Sequence, residues 1–156
     1  MTKRKTILFA EDDEVLLTSY GKHLEKAGYR VIIARDGLVT MNNLFQFAPD
    51  LLILDLMLPK FEGEKLLQFI WSPPRLSKVP VIILSSKCSV EPEYEILMKF
   101  AAKYLIKQEC TPAILLEAVR EQILVEPQVK RATVDTASDD PVPSLIRWTR
   151  KLHPAN

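Results

Sequence analysis

Five short apolar runs, each followed by a stretch of helical spacing, constrain this chain more than any other feature. They read TILFA at residues 6 to 10, YRVIIA at 29 to 34, LLIL at 51 to 54, VPVIIL at 79 to 84 and KYLI at 103 to 106. Continuous apolar runs of this length fit strands covered on both faces. The segments between them have a longer period. Val15, Leu16, Leu17, Tyr20, Leu24 and Ala27 form a helical stripe over residues 14 to 27, and Gly28 stops it. Asp36-Gly37 is a turn or cap before a second helix, Leu38 to Phe47, which Pro49 ends. Glu64 to Trp71 is a third helix, stopped by Pro73-Pro74, and Pro92 to Phe100 a fourth. Thr111-Pro112 has the cap-then-proline order of a helix start, and a fifth helix runs to Leu124. The alternation predicts an α/β fold: a doubly wound, five-stranded parallel sheet flanked by five helices.

A chain of 156 residues is long enough for one domain with its own core. Its net charge of +1 gives no broad basic field for nucleic acid. No apolar run approaches a membrane span, and Ile7 to Ala10 is too short for a signal peptide core. Cys88 and Cys110 lack metal-ligand spacing and any disulfide-rich context, so reduced thiols and a cytoplasmic location are expected. Composition shifts after the fifth helix. Residues 126–143, with Pro127, Pro141, Pro143 and Asp139-Asp140, read as a linker or disordered segment. Residues 144–156 read as a short amphipathic tail. Leu145, Ile146, Trp148 and Leu152 make its stripe, with Arg147, Arg150 and Lys151 opposite.

In a parallel sheet the strand C-termini share one edge, and ligands bind there. The first strand ends in Glu11-Asp12, the third in Asp55, the fourth in Ser85 and the fifth in Lys107. Taken singly, each has an ordinary explanation: Asp55 as a turn cap, Ser85 as a turn residue, Lys107 as a solvated lysine. Together they are a constellation. Three neighbouring carboxylates repel, so one pKa rises unless a cation is present. Oxygen donors without His or Cys suit a hard ion, Mg²⁺ above all. A hydroxyl and an ammonium alongside suit a phosphoryl group. The set describes phosphoryl transfer onto an aspartate. Asp12-Asp13 is the alternative acidic pair; Glu11-Asp12 is preferred because both directly follow the strand. His23 and His153 have no companions, and nothing marks Cys88 as a nucleophile.

From about residue 4 to residue 125 the chain resembles the receiver domain of bacterial two-component response regulators. ILFAEDDE resembles that family's first strand and acidic pair, and PDLLILDLMLPKFEG its phosphorylation-site motif. VPVIILSS resembles the fourth strand with a switch hydroxyl, and AAKYLIK the fifth strand with an aromatic residue and a lysine. The resemblance implies a flavodoxin-like strand order, 2-1-3-4-5, for which a receiver is a standard example. It implies Asp55 as phosphoacceptor, Asp12 as a direct Mg²⁺ ligand, Glu11 acting mostly through water and the Met57 carbonyl as a further ligand. Ser85 and Lys107 would hold the phosphoryl oxygens, and Tyr104 would move inward with Ser85. The implied partners are a sensor histidine kinase or phosphotransfer protein as donor, and a downstream protein target met through helix four, strand five and helix five. Direct nucleic-acid or membrane binding is not expected, since residues beyond the fifth helix read as linker rather than a helix-turn-helix.

Three departures stand out. Gln108 occupies the place of the family's usual proline, Phe100-Ala101 that of a Gly-Ala pair, and Ala102-Lys103 that of acidic residues one DNA-binding subfamily uses to dimerise. Two rivals follow from the same residues. One is a receiver-like interaction module that is never phosphorylated. The other is a hydrolase with an aspartyl nucleophile, which wants a second acid where this chain has Met57.

Overall fold

The computed structural model describes residues 3–86 and 93–124. Its ten elements alternate in chain order. They are β1 (Thr6–Ala10), α1 (Glu14–Lys26), β2 (Arg30–Ala34), α2 (Gly37–Phe47), β3 (Leu51–Leu54), α3 (Gly63–Trp71), β4 (Val81–Ser85), α4 (Glu93–Phe100), β5 (Lys103–Ile106) and α5 (Pro112–Leu124). All strands are parallel and lie in the order β2-β1-β3-β4-β5. The linker and tail expectations for residues 126–156 lie outside the described residues, as does Cys88.

The central strands are apolar without a break because each face of the sheet has its own cover. Leu8, Leu52, Leu54 and Ile83 point to one side, against Leu44, Leu66, Leu67, Ile70 and Leu97 of α2, α3 and α4. Ile7, Phe9, Ile53 and Leu84 point to the other, against Leu17, Leu24, Leu115 and Val119 of α1 and α5. Side-chain alternation therefore persists, but both partners of the alternation are apolar. Full cover ends at the margins. In β2 the last residue is buried and the rest are partly or largely exposed, and β5 is half-buried throughout. These are the two outer strands: Ile32 and Tyr104 still pack against one core cluster and Val31 and Leu105 against the other, so the two-sided covering expected from sequence is present but incomplete.

Local boundaries follow local chemistry. Val79-Pro80 was expected inside the fourth strand, which instead starts at Val81. Proline has no N–H for the ladder, so Pro80 only accepts, from Leu52 N at 3.0 Å. The second strand starts at Arg30 rather than Tyr29, whose N–H turns back to Leu24 O at 3.2 Å and closes the end of α1. Gly28 there has φ +101°, a conformation that favours glycine. Asp36 caps α2, accepting from Val39 N at 2.8 Å, and Thr111 caps α5 through Ile114 N at 3.2 Å.

Gly21 offers a simple check on this packing. It lies mid-helix in α1, and a Cβ built there meets nothing within 4 Å. Gly21→Ala is expected to stabilise the fold by about 1 kcal/mol, through helix propensity and a less free unfolded chain. Chemical denaturation should show a higher midpoint with an unchanged slope.

Candidate functional site

Parallel strands deliver their C-terminal residues to one edge, and the sheet order reverses direction between β1 and β3. A crevice opens at that point. Glu11 leaves β1 with its N–H on Ala34 O at 3.0 Å, and Asp55 leaves β3 with its N–H on Ala10 O at 2.9 Å. Both side chains are buried, a costly place for carboxylates without partners. Carboxylate oxygens of Glu11, Asp12 and Asp55 all lie within 4.8 Å of one another.

Asp55 is held at both oxygens. Its Oδ1 accepts from Met57 N at 2.9 Å, and its Oδ2 accepts from Lys107 Nζ at 2.6 Å. The same ammonium stands 2.7 Å from Glu11 Oε2. That second contact is an attraction of charges rather than an aligned hydrogen bond, so Glu11 Oε2 remains a buried oxygen without a directed donor. Glu11 Oε1 accepts from Asp12 N and Asp13 N, each at 3.1 Å. Burial pushes the Glu11 carboxyl above its ordinary range, more than Lys107 and the Asp13 N–H pull it down. For Lys107 burial acts downward, but the two carboxylates beside it, Asp55 and Glu11, together outweigh it and hold the ammonium's pKa above the usual value.

Asp13 goes elsewhere. It caps α1, accepting from Val15 N at 2.8 Å and Leu16 N at 3.2 Å. Of the two acidic pairs open from sequence, the structure brings Glu11-Asp12 to Asp55. Ser85 ends β4, buried, and its carbonyl accepts from Lys107 N at 2.9 Å. Tyr104 lies in β5 opposite Ile83, half-buried, and its ring meets Tyr94 of α4 edge-on with centroids 5.7 Å apart. The Met57 side chain is exposed, while its N–H is spent on Asp55. Lys87 and Cys88, next to the site in sequence, lie outside the described residues.

Sequence reasoning missed the fastening of the loop after Asp55. Lys60, with φ 66°, reaches back to Asp36 Oδ2 at 2.7 Å, and this ammonium holds the Asp36 carboxyl below its ordinary range. Gly37 N donates to Pro59 O at 3.1 Å. A Cβ on Gly37 would sit 2.0 Å from Phe61 O, so only glycine fits between α2 and this loop. Nothing in the local pattern joins residues 24 apart; the paired glycines opening α2 and α3 were the available signal.

Three carboxylates against one ammonium leave the cluster with excess negative charge. An unaligned buried oxygen, an all-oxygen donor set and a carboxylate poised on an amine fit a hard divalent cation beside a phosphoryl oxygen.

The comparisons agree with this geometry. The family model described as the response regulator receiver domain matches residues 7–120. The gliding motility regulatory protein of Myxococcus xanthus is 31% identical over 121 residues, 75% of this chain but 15% of that protein. The DNA-binding dual master transcriptional regulator RpaA of Synechocystis is 34% identical over 101 residues, 65% of this chain and 42% of that one. The chain thus spans less than half the length of these curated relatives. Among solved structures, a receiver domain protein from Methanospirillum hungatei shares 28% identity at a TM-score of 0.70, covering 78% of this chain and 94% of that chain. The receiver domain of a sensor histidine kinase from Pseudomonas aeruginosa, with a magnesium ion coordinated in its active-site cleft, shares 25% identity at a TM-score of 0.69. It is covered over 98% of its length, and this chain over 78%.

Proposed function

The chain belongs to the response regulator receiver domain family, and on that premise we propose that it is a phosphorylation-dependent signalling switch that accepts a phosphoryl group on Asp55. The donor in this reading is a phosphohistidine on a sensor histidine kinase or phosphotransfer protein. One observation carries the proposal: the Asp55 carboxylate lies on the Lys107 ammonium at 2.6 Å, inside the acidic cluster with Glu11 and Asp12.

Each side chain then has a task. An oxygen of Asp55 attacks phosphorus, the O–P bond forms, the P–N bond to the donor histidine breaks, and the ring nitrogen keeps the electron pair. Lys107 passes from the carboxylate to a phosphoryl oxygen, so no buried charge is left unpaired. Ser85, at the end of the neighbouring strand, offers a hydroxyl to a second phosphoryl oxygen. Glu11, Asp12, Asp55 and the Met57 carbonyl would hold Mg²⁺, which when bound supplies the positive charge that lets a dianionic group approach three carboxylates. The Met57 N–H keeps Asp55 Oδ1 in place throughout.

The readout is protein–protein. Phosphorylation adds charge at the strand tips, and Ser85 with Tyr104 conveys it to α4, β5 and α5. The Tyr94–Tyr104 ring contact between α4 and β5 supports that route. A bias of about 1.4 kcal/mol moves the two populations tenfold, so modest new contacts suffice. This reading places the chain in the cytoplasm and needs no direct contact with nucleic acid. Among the described residues no helix is long and apolar enough to cross a membrane.

A small phosphodonor such as acetyl phosphate, with Mg²⁺, is the test. Intact mass should show one phosphoryl group per chain, mapped to Asp55, absent without Mg²⁺ and absent in Asp55→Asn. An unlabelled chain with its fold intact would instead support the receiver-like interaction module. Turnover of phosphate esters in large excess over protein would support the hydrolase.

A further inference from the structure

We propose that the outer face of α2 and α3 is the seat of this chain's own C-terminal stretch, residues 144–153. The inference does not depend on phosphorylation.

The face is unusual in chemistry. Helix α2, GLVTMNNLFQF, carries no charged residue at all. Leu38, Met41 and Phe45 recur at i, i+3 and i+7 and make a two-turn stripe beside the buried one. Leu38 is 43% exposed and Phe45 44%. Across from them Phe69 of α3 is 41% exposed, its ring edge-on to Phe45 with centroids 5.8 Å apart. A surface helix normally puts charge on its solvent side. A contiguous apolar stripe without it marks a contact surface.

Two features select the occupant. The first is spacing. Leu145, Trp148 and Leu152 repeat the i, i+3, i+7 interval of Leu38, Met41 and Phe45, and Arg147, Arg150 and Lys151 fall opposite, so a helix seated by that stripe would keep its charges in water. The second is reach. Helix α5 ends at Leu124, and residues 125–143 separate it from the stripe. An unstructured chain of that length would span about 25 Å on average, comparable with the width of a domain this size. Tethering gives the tail a millimolar effective concentration at the face, so a weak contact is enough.

Trp148 reports the contact in the full-length chain. The emission of wild type minus that of Trp148→Phe isolates it from Trp71, which is held by its indole N–H on Phe100 O at 3.2 Å. The expected result is a blue-shifted Trp148 signal, poorly quenched by acrylamide and unchanged on hundredfold dilution of a chain that sediments as a monomer. Phe45→Ser and, separately, Leu145→Ser should each shift it to the red and open it to quencher. Leu145→Ser lies beyond the five-helix fold, so its effect does not reflect unfolding. A red, freely quenched Trp148 in wild type overturns the proposal and leaves the face to a separate protein. A blue signal lost on dilution, with a dimer in sedimentation, overturns it in favour of a second copy. A shift with Phe45→Ser but not Leu145→Ser also overturns it.

Discussion

Lys107→Met is expected to cost the fold about 3 kcal/mol at neutral pH, the usual scale for removing one partner of a buried ion pair. The methionine keeps most of the stem volume and removes the cation, so the loss reports charge rather than a cavity. The reason lies in what remains. Lys107 is only 14% exposed, and its ammonium stands 2.6 Å from Asp55 Oδ2 and 2.7 Å from Glu11 Oε2. Without it two buried carboxylates face each other with no counter-charge. The pH dependence has a definite sign. Burial already raises the Glu11 pKa, so the folded state takes up its proton more readily than the unfolded chain. Stability from that group therefore grows as pH falls through the raised value toward the ordinary 4.5. The Lys107→Met deficit should shrink on mild acidification. The wild-type ammonium, with its pKa raised, keeps its full contribution below about pH 10 and loses it only in stronger alkali. Mg²⁺ should recover part of the variant's loss by supplying charge to the same oxygens. Denaturation with and without Mg²⁺, at neutral and mildly acidic pH, measures all three effects. A deficit indifferent to both pH and Mg²⁺ would mean that the lysine acts by packing alone.

Gly63→Ala should damage stability and chemistry together. A Cβ on Gly63 would lie 2.6 Å from both Asp55 O and Leu56 Cα. These are backbone atoms and cannot rotate away, so either α3 or the Asp55 segment must shift. Gly63 N also donates to Leu56 O at 3.1 Å, which ties the start of α3 to the same segment. The expected loss is about 3 kcal/mol, the upper range for inserting a methyl into a filled space. Labelling of Asp55 should slow by an order of magnitude or more, because its oxygens lose their register with Lys107. Gly21→Ala carries the same substitution in open space, so the pair separates crowding from glycine's intrinsic effect. Near-wild-type stability and labelling in Gly63→Ala would show that the α3 start is not braced on Asp55.

The sequence made the inner fold legible and the margins less so. The runs Ile7 to Ala10 of β1, Leu51 to Leu54 of β3 and Val81 to Leu84 of β4 are apolar at every position because both sheet faces press on them, and that pattern survives without coordinates. Edge strands feel one neighbour, and β2 accordingly mixes Arg30 and exposed Ile33 into its run. At the site, the strand-tip acids were visible because a carboxylate after an apolar run interrupts a strong pattern. The choice between Asp12 and Asp13 depended on a cap, and the geometry shows Asp13 accepting two helix N–H groups. The Asp36–Lys60 pair and the fit of Gly37 against Phe61 depend on how two loops meet, which no local periodicity encodes.

The central claim is spatial: residues from separate strand tips form one cation-binding, phosphoryl-accepting nest. Mn²⁺ tests it directly, as a paramagnetic ion with Mg²⁺'s charge and preference for oxygen. In an amide-resolved NMR titration at low Mn²⁺, signals of residues 11–13, 55–57, 85, 86 and 107 should broaden first. Those of Arg30, Leu51, Val81 and Lys103 begin their strands at the far edge of the sheet, about 15 Å away, and should stay sharp. Broadening that starts at the far edge, or that leaves residues 11, 12 and 55 untouched while other acidic patches respond, would contradict the account.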